Sequence, residues 1–158
     1  MENNYIDIMI QSLQKKIKVL DGIIEKNKEQ CQILEQEELD ADAFERNIQE
    51  KGELVDQINL LDEGFEDLYG RIKVLLEAEK QEHKDEILQM KQLITDITEK
   101  SVTIQSGEVR NRRLVETKFS QERKRVKNMR NTSAVTKQYY QNMTKLNVLD
   151  AQFMDQKK

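Results

Sequence analysis

Between Leu54 and Leu75 the apolar residues fall at Leu54, Ile58, Leu61, Phe65, Leu68, Ile72 and Leu75, in alternating steps of four and three. That rhythm places all seven on one stripe of a helix. A repeat of about 3.5 residues marks the seam of a coiled coil rather than the broader face of a helix lying on a globule. The stripe needs a partner helix. An earlier stretch keeps the same rhythm at Ile6, Ile10, Leu13, Ile17, Leu20, Ile24, Asn27, Cys31 and Leu34. Met9, Val19, Ile23 and Ile33 widen it enough to touch two neighbours. Asn27 is the polar exception, a residue type that fixes register at a cost in stability. Cys31, on the same stripe, is expected as a buried apolar thiol.

The first helix is expected over about 4–36, capped by Asn3 or Asn4, and the second over about 42–79. The acidic run from Glu35 to Asp42 interrupts the pattern, and Asp42 with Glu45 reads as an aspartate capping box. So short a connection makes the two helices antiparallel neighbours. Gly52, Gly64 and Gly70 weaken the second helix and permit either close approach or slight bending. Residues 77–86 carry no seam residue and fit either a turn or a helical continuation. The turn is favoured, because one helix running from 42 to 130 would need a second chain to bury it. The third helix, about 85–130, carries Ile87, Met90, Ile94, Ile97, Ser101 and Ile104, then weakens at Glu108 and Asn111. Apolar residues return sparsely at Leu114, Val115, Phe119, Val126 and Met129. The weak zone Gln105–Glu108 predicts a kink or fraying point, with the least stable part of the bundle beyond it.

The expected fold is therefore all-α: a long antiparallel helical hairpin, extended to a three-helix coiled-coil bundle over 1–130, and a mobile C-terminal tail over 131–158. In the tail Tyr139, Met143, Leu146, Leu149 and Phe153 keep near-helical spacing, with Tyr140 beside them. A short helix seldom holds alone in water, so this stripe is expected to dock on the bundle or on a partner.

Composition agrees with long solvated helices: no proline, five glycines, 35% charged residues and 5% aromatics. A net charge of −4 gives no bulk attraction to nucleic acid or an acidic membrane, but the distribution is uneven. From Glu29 to Glu86 there are 19 acidic and 6 basic residues, and from Arg110 to Arg130 there are 2 acidic and 9 basic. Mutual neutralisation of two segments lying side by side is the expected arrangement. A nucleic-acid surface over 110–130 is the rival, weakened by the lack of interleaved stacking aromatics. The lone Cys31 excludes an internal disulfide. The N-terminus lacks a basic signal-peptide region and no apolar run has membrane length, so a cytoplasmic protein without membrane insertion is expected.

Catalytic chemistry is not expected. One histidine, His83, cannot furnish a multi-His zinc site; no paired Glu-x-x-His motifs or glycine-rich phosphate loop occur. No cofactor and no metal are expected.

The hairpin resembles that of FlgN-like flagellar export chaperones. The likeness is carried by Leu20-Asp21-Gly22-Ile23-Ile24-Glu25, by Leu39-Asp40-Ala41-Asp42-Ala43-Phe44, and by Glu50-Lys51-Gly52-Glu53-Leu54-Val55. Asn111-Arg112-Arg113-Leu114-Val115 is similar to the family's Asn ahead of paired aliphatics, and Phe153-Met154-Asp155-Gln156-Lys157-Lys158 to endings of clostridial members. The resemblance implies a cytoplasmic chaperone that holds hook-associated (hook–filament junction) subunits before secretion and delivers them to the export apparatus. Asn111, Leu114, Val115, Phe119, Val126, Met129, Tyr139, Tyr140, Met143, Leu146, Leu149 and Phe153 are the residues expected to meet the client. Deleting 135–158 is then expected to abolish client binding and leave melting almost untouched. A coiled-coil adaptor, homodimeric or scaffolding, is the alternative, and a filament-cap chaperone similar to FliT is a sibling reading.

Overall fold

The computed structural model describes residues 2–122, together with 137–139 and 141. Three long helices follow one another: α1 (Glu2–Glu35), α2 (Ala41–Ala78) and α3 (Lys84–Gln121). At ~1.5 Å per residue each is about 50–57 Å long. No strand occurs among the described residues, and the all-α bundle is as expected. α1 packs along both α2 and α3, whereas α2 and α3 hardly approach each other. Cross-helix bonds set the directions. Lys16 meets Asp62 and Lys26 meets Glu50, so α1 and α2 run antiparallel. Lys100 meets Asp21 and Asn111 meets Asn27, so α1 and α3 run parallel.

The buried stripe of α2 is displaced by one residue, at alternate positions, from the one that hydrophobicity alone selects. Its interior positions are Phe44, Asn47, Ile48, Lys51, Val55, Ile58, Phe65, Tyr69, Ile72 and Leu76, with Asp62 close behind. Leu54, Leu61, Leu68 and Leu75 are only half-buried flanks. On α1 the step from Leu13 runs through Lys16, Leu20, Ile23, Asn27, Gln30 and Leu34. Cys31 therefore sits at the edge of the seam, half-buried, with its thiol donating to Glu35 Oε1 at 3.3 Å. Partial burial and the Glu35 contact push that thiol up from its ordinary range.

α3 continues without interruption through Gln105–Glu108, so the expected kink is not present. Its buried positions run Met90, Ile94, Ile97, Ser101, Ile104, Glu108, Asn111, Val115 and Lys118, in unbroken steps of three and four. The stripe does not end there; it turns polar. Among the described residues nothing lies within 4 Å of where a Cβ would stand on the three α2 glycines, so close approach of α1 or α3 is not their reason.

Both connections are turns. Residues 79–83 form the second, as favoured. At the first, Asp40 rather than Asp42 caps α2, its carboxylate accepting from Ala43 N–H at 3.1 Å. Asp42 lies inside the first turn, where an acid only complements the helix dipole. Asp40→Ala is accordingly expected to cost about 1 kcal/mol and to lower melting more than Asp42→Ala does, as read by thermal denaturation.

Two apolar cores result. The larger spans Ile6 to Ile23 of α1, Val55 to Leu76 of α2 and Met90 to Ile104 of α3. The smaller closes the α1–α2 turn end with Leu34, Leu39, Phe44, Ile48 and Val115. Phe44 meets Phe119 edge to face, with ring centroids 5.8 Å apart.

Candidate functional site

Between the two cores lies a layer of polar side chains: Asn27 and Gln30 from α1, Asn47 and Lys51 from α2, Glu108 and Asn111 from α3. All six are buried, and heptad spacing puts them on the seams of their helices. Lys51 spans the α2–α3 cleft to Glu108 at 2.9 Å, with the two side chains 0% and 8% exposed. Its ammonium also donates to Gln30 Oε1 at 3.1 Å. Asn111 donates to the Asn27 carbonyl at 2.9 Å and to Gln30 Oε1 at 3.0 Å, and Asn47 donates to the Lys26 carbonyl at 2.9 Å. Burial pulls the Lys51 ammonium below its ordinary range, opposed by the neighbouring Glu108 carboxylate.

Tyr139 closes this layer. Its hydroxyl donates to Glu108 Oε1 at 2.6 Å, its ring lies over Lys51 with Nζ 4.4 Å from the centroid, and it is buried. The ring thus meets a cation on its face while its hydroxyl meets an anion. Beside it, Ile48, Gln49, Gly52, Glu53, Asp56 and Gln138 line a shallow depression of ≈ 290 Å³.

Among the described residues of 110–130, Lys118 reaches the acidic turn, and it does so through backbone carbonyls. Lys118 Nζ donates to the carbonyls of Gln36 and Glu37, the latter at 2.8 Å, while Leu39 N–H donates to Glu122 Oε1 at 2.9 Å. α1 has no basic residue in its last turn, so α3 supplies the cation that its negative dipole end favours.

Of the residues expected to meet a client, Asn111, Val115 and Tyr139 are buried within the chain's own packing. Leu114 and Phe119 are half-buried against the smaller core. Val126, Met129, Tyr140, Met143, Leu146, Leu149 and Phe153 lie outside the described residues. Lys51, Gln30, Asn47 and Glu108 carry the polar layer and are absent from that expectation. Counting steps of three and four onward from Ile104, whatever the residue type, would have found Glu108.

Two other features stand outside the layer. Lys15, Lys18, Val19, Gln57, Leu60 and Leu61 surround an apolar depression of ≈ 400 Å³ between α1 and α2. In the α2–α3 turn, Glu79, Glu82 and His83 bring ligand atoms within 4.8 Å of one another, the sole such group among the described residues. There the imidazole Nε2 and a Glu79 carboxylate oxygen are 3.3 Å apart, which serves equally as a turn-closing contact. No helix among the described residues is long and apolar enough to cross a membrane. Comparison with known protein families, curated proteins and solved structures gave no match.

Proposed function

We propose that the protein is a cytoplasmic FlgN-like export chaperone, without enzymatic activity, that holds hook–filament junction subunits before secretion. The observation that supports this reading is the docking of Tyr139 on the cleft between α2 and α3. The three helices form the scaffold, and Tyr139 meets them on the side where α2 and α3 stand apart. By sequence spacing Tyr139 shares a stripe with Met143, Leu146, Leu149 and Phe153. An amphipathic helix at a client's terminus is a suitable partner for such a stripe. The nucleic-acid alternative has lost Lys118 to carbonyls of the α1–α2 turn, so fewer cations of 110–130 remain for phosphate.

The test compares the full chain with two truncations, by calorimetric titration against hook–filament junction proteins. Removing 142–158 is expected to weaken client binding at least tenfold while melting stays near that of the full chain, because Tyr139 remains. Removing 135–158 is expected to lose binding and also lower melting, since Glu108 and Lys51 lose their cover. That second outcome departs from the expectation of unchanged melting. Unaltered client affinity in both truncations would overturn the chaperone reading. A self-associating chain with no client affinity, seen by sedimentation, would favour the adaptor.

A further inference from the structure

The Lys51–Glu108 pair does more than join two helices. It sits on the seam yet is topped by a side chain from a distant part of the sequence, 31 residues beyond Glu108. The floor of the site presents an ammonium to a ring face and a carboxylate oxygen to a hydroxyl, both at contact distance. That combination selects a phenol. A phenylalanine ring would satisfy the cation and leave the carboxylate without its short bond; an aliphatic side chain would satisfy neither. Glu108 Oε2 is buried and has no hydrogen-bond partner among the described residues, so the carboxylate keeps capacity for a further donor.

Tyr139 and Gln138 leave the adjoining depression along α2 open. Gly52, on its wall, has no described residue within 4 Å of where a Cβ would stand. Glu53 and Asp56 give the same wall an acidic rim. The resident segment matches that rim, with Lys137 two positions before Tyr139.

We infer that the cleft between α2 and α3 at Lys51 and Glu108 is a receptor site for a tyrosyl side chain on a peptide that carries a neighbouring basic residue. Tyr139 is its tethered occupant, and an incoming peptide of the same chemistry takes its place. That the incoming peptide belongs to a client rests on the chaperone reading; the chemistry of the receptor site does not.

The experiment uses the full chain carrying Tyr139→Ala. p-Cresol is expected to raise its melting temperature saturably, by several degrees, whereas toluene is at least tenfold less effective and wild type does not respond. An acetylated peptide of residues 136–142 is expected to bind the same variant, at least tenfold more tightly than its Tyr139→Phe version. Adding Glu108→Gln should abolish the preference for p-cresol over toluene. Should Tyr139→Ala not fold, the full chain with Tyr139→Phe replaces it. There the ring stays, and the tyrosyl peptide is expected to displace the tethered phenylalanine at concentrations that leave wild type unchanged. Absence of saturable binding by either probe, or equal responses in variant and wild type, overturns the inference. Binding of both probes without binding of any junction protein would leave the receptor site standing and remove the chaperone reading.

Discussion

Glu108→Leu is expected to destabilise the bundle by about 3–5 kcal/mol, the cost of leaving one member of a buried ion pair uncompensated. For a chain of this size that corresponds to a melting temperature lower by roughly 10 °C. The magnitude comes from Lys51, whose side chain is wholly buried and whose carboxylate partner would be gone. Tyr139 would lose its acceptor in the same step. The double variant Lys51→Met/Glu108→Leu removes both charges together. Replacing a whole buried pair by apolar groups of similar volume is often neutral or stabilising, so most of the loss should return. Recovery should stay incomplete, because the Tyr139 hydroxyl loses its Glu108 acceptor and Gln30 Oε1 keeps only Asn111 of its two donors, at about 0.5–1.5 kcal/mol for each hydrogen bond lost. Thermal melts of wild type, both single variants and the double variant close a cycle that isolates the pair. A double variant no more stable than Glu108→Leu alone would show that shape, not charge, holds this part of the cleft.

The positions of this layer explain what could and could not be read from the residues in order. The three helices and both turns follow from periodicity, since Ile58, Phe65 and Ile72 remain interior under either choice of stripe. Between those anchors, Leu54 and Val55 are both apolar, and so are Leu75 and Leu76; hydrophobicity does not separate them. At Leu61 and Asp62 it points the wrong way, because the interior position holds an aspartate paired to Lys16 at 2.8 Å. The same preference selects Cys31 over Gln30 and reads Glu108 as a break. A polar residue on a seam looks like the end of a seam unless its partner is known, and here the partners lie on other helices. Tyr139 was legible as an apolar residue in need of cover, but its contacts with Lys51 and Glu108 join distant positions that no local pattern connects. The cap shows the same limit on a smaller scale: Asp40 and Asp42 both have the right chemistry, and only backbone geometry at Asp40 separates them.

Phe44→Ala is expected to have the other large effect, and it also separates two roles for the surface beside it. Phe44 is fully buried in the smaller core, among Leu34, Leu39, Ile48 and Val115, with its ring against the edge of Phe119. Truncating a buried phenylalanine costs about 3–5 kcal/mol, as lost transfer energy plus the cavity left behind. The smaller core has few members to relax into that space, which places the cost toward the upper part of the range. Melting should fall by roughly 10–15 °C. Loss of Phe44 also removes the support that keeps Leu114 and Phe119 half-buried. If those two residues belong to the client surface, Phe44→Ala should bind a hook–filament junction protein more tightly at a temperature where it remains folded. If they serve only the interior, client affinity stays at the wild-type value while melting falls. The combination with Phe119→Ala decides between them. Should a gain in affinity from Phe44→Ala vanish when Phe119 is also truncated, the ring of Phe119 is a client contact that the bundle normally keeps half covered.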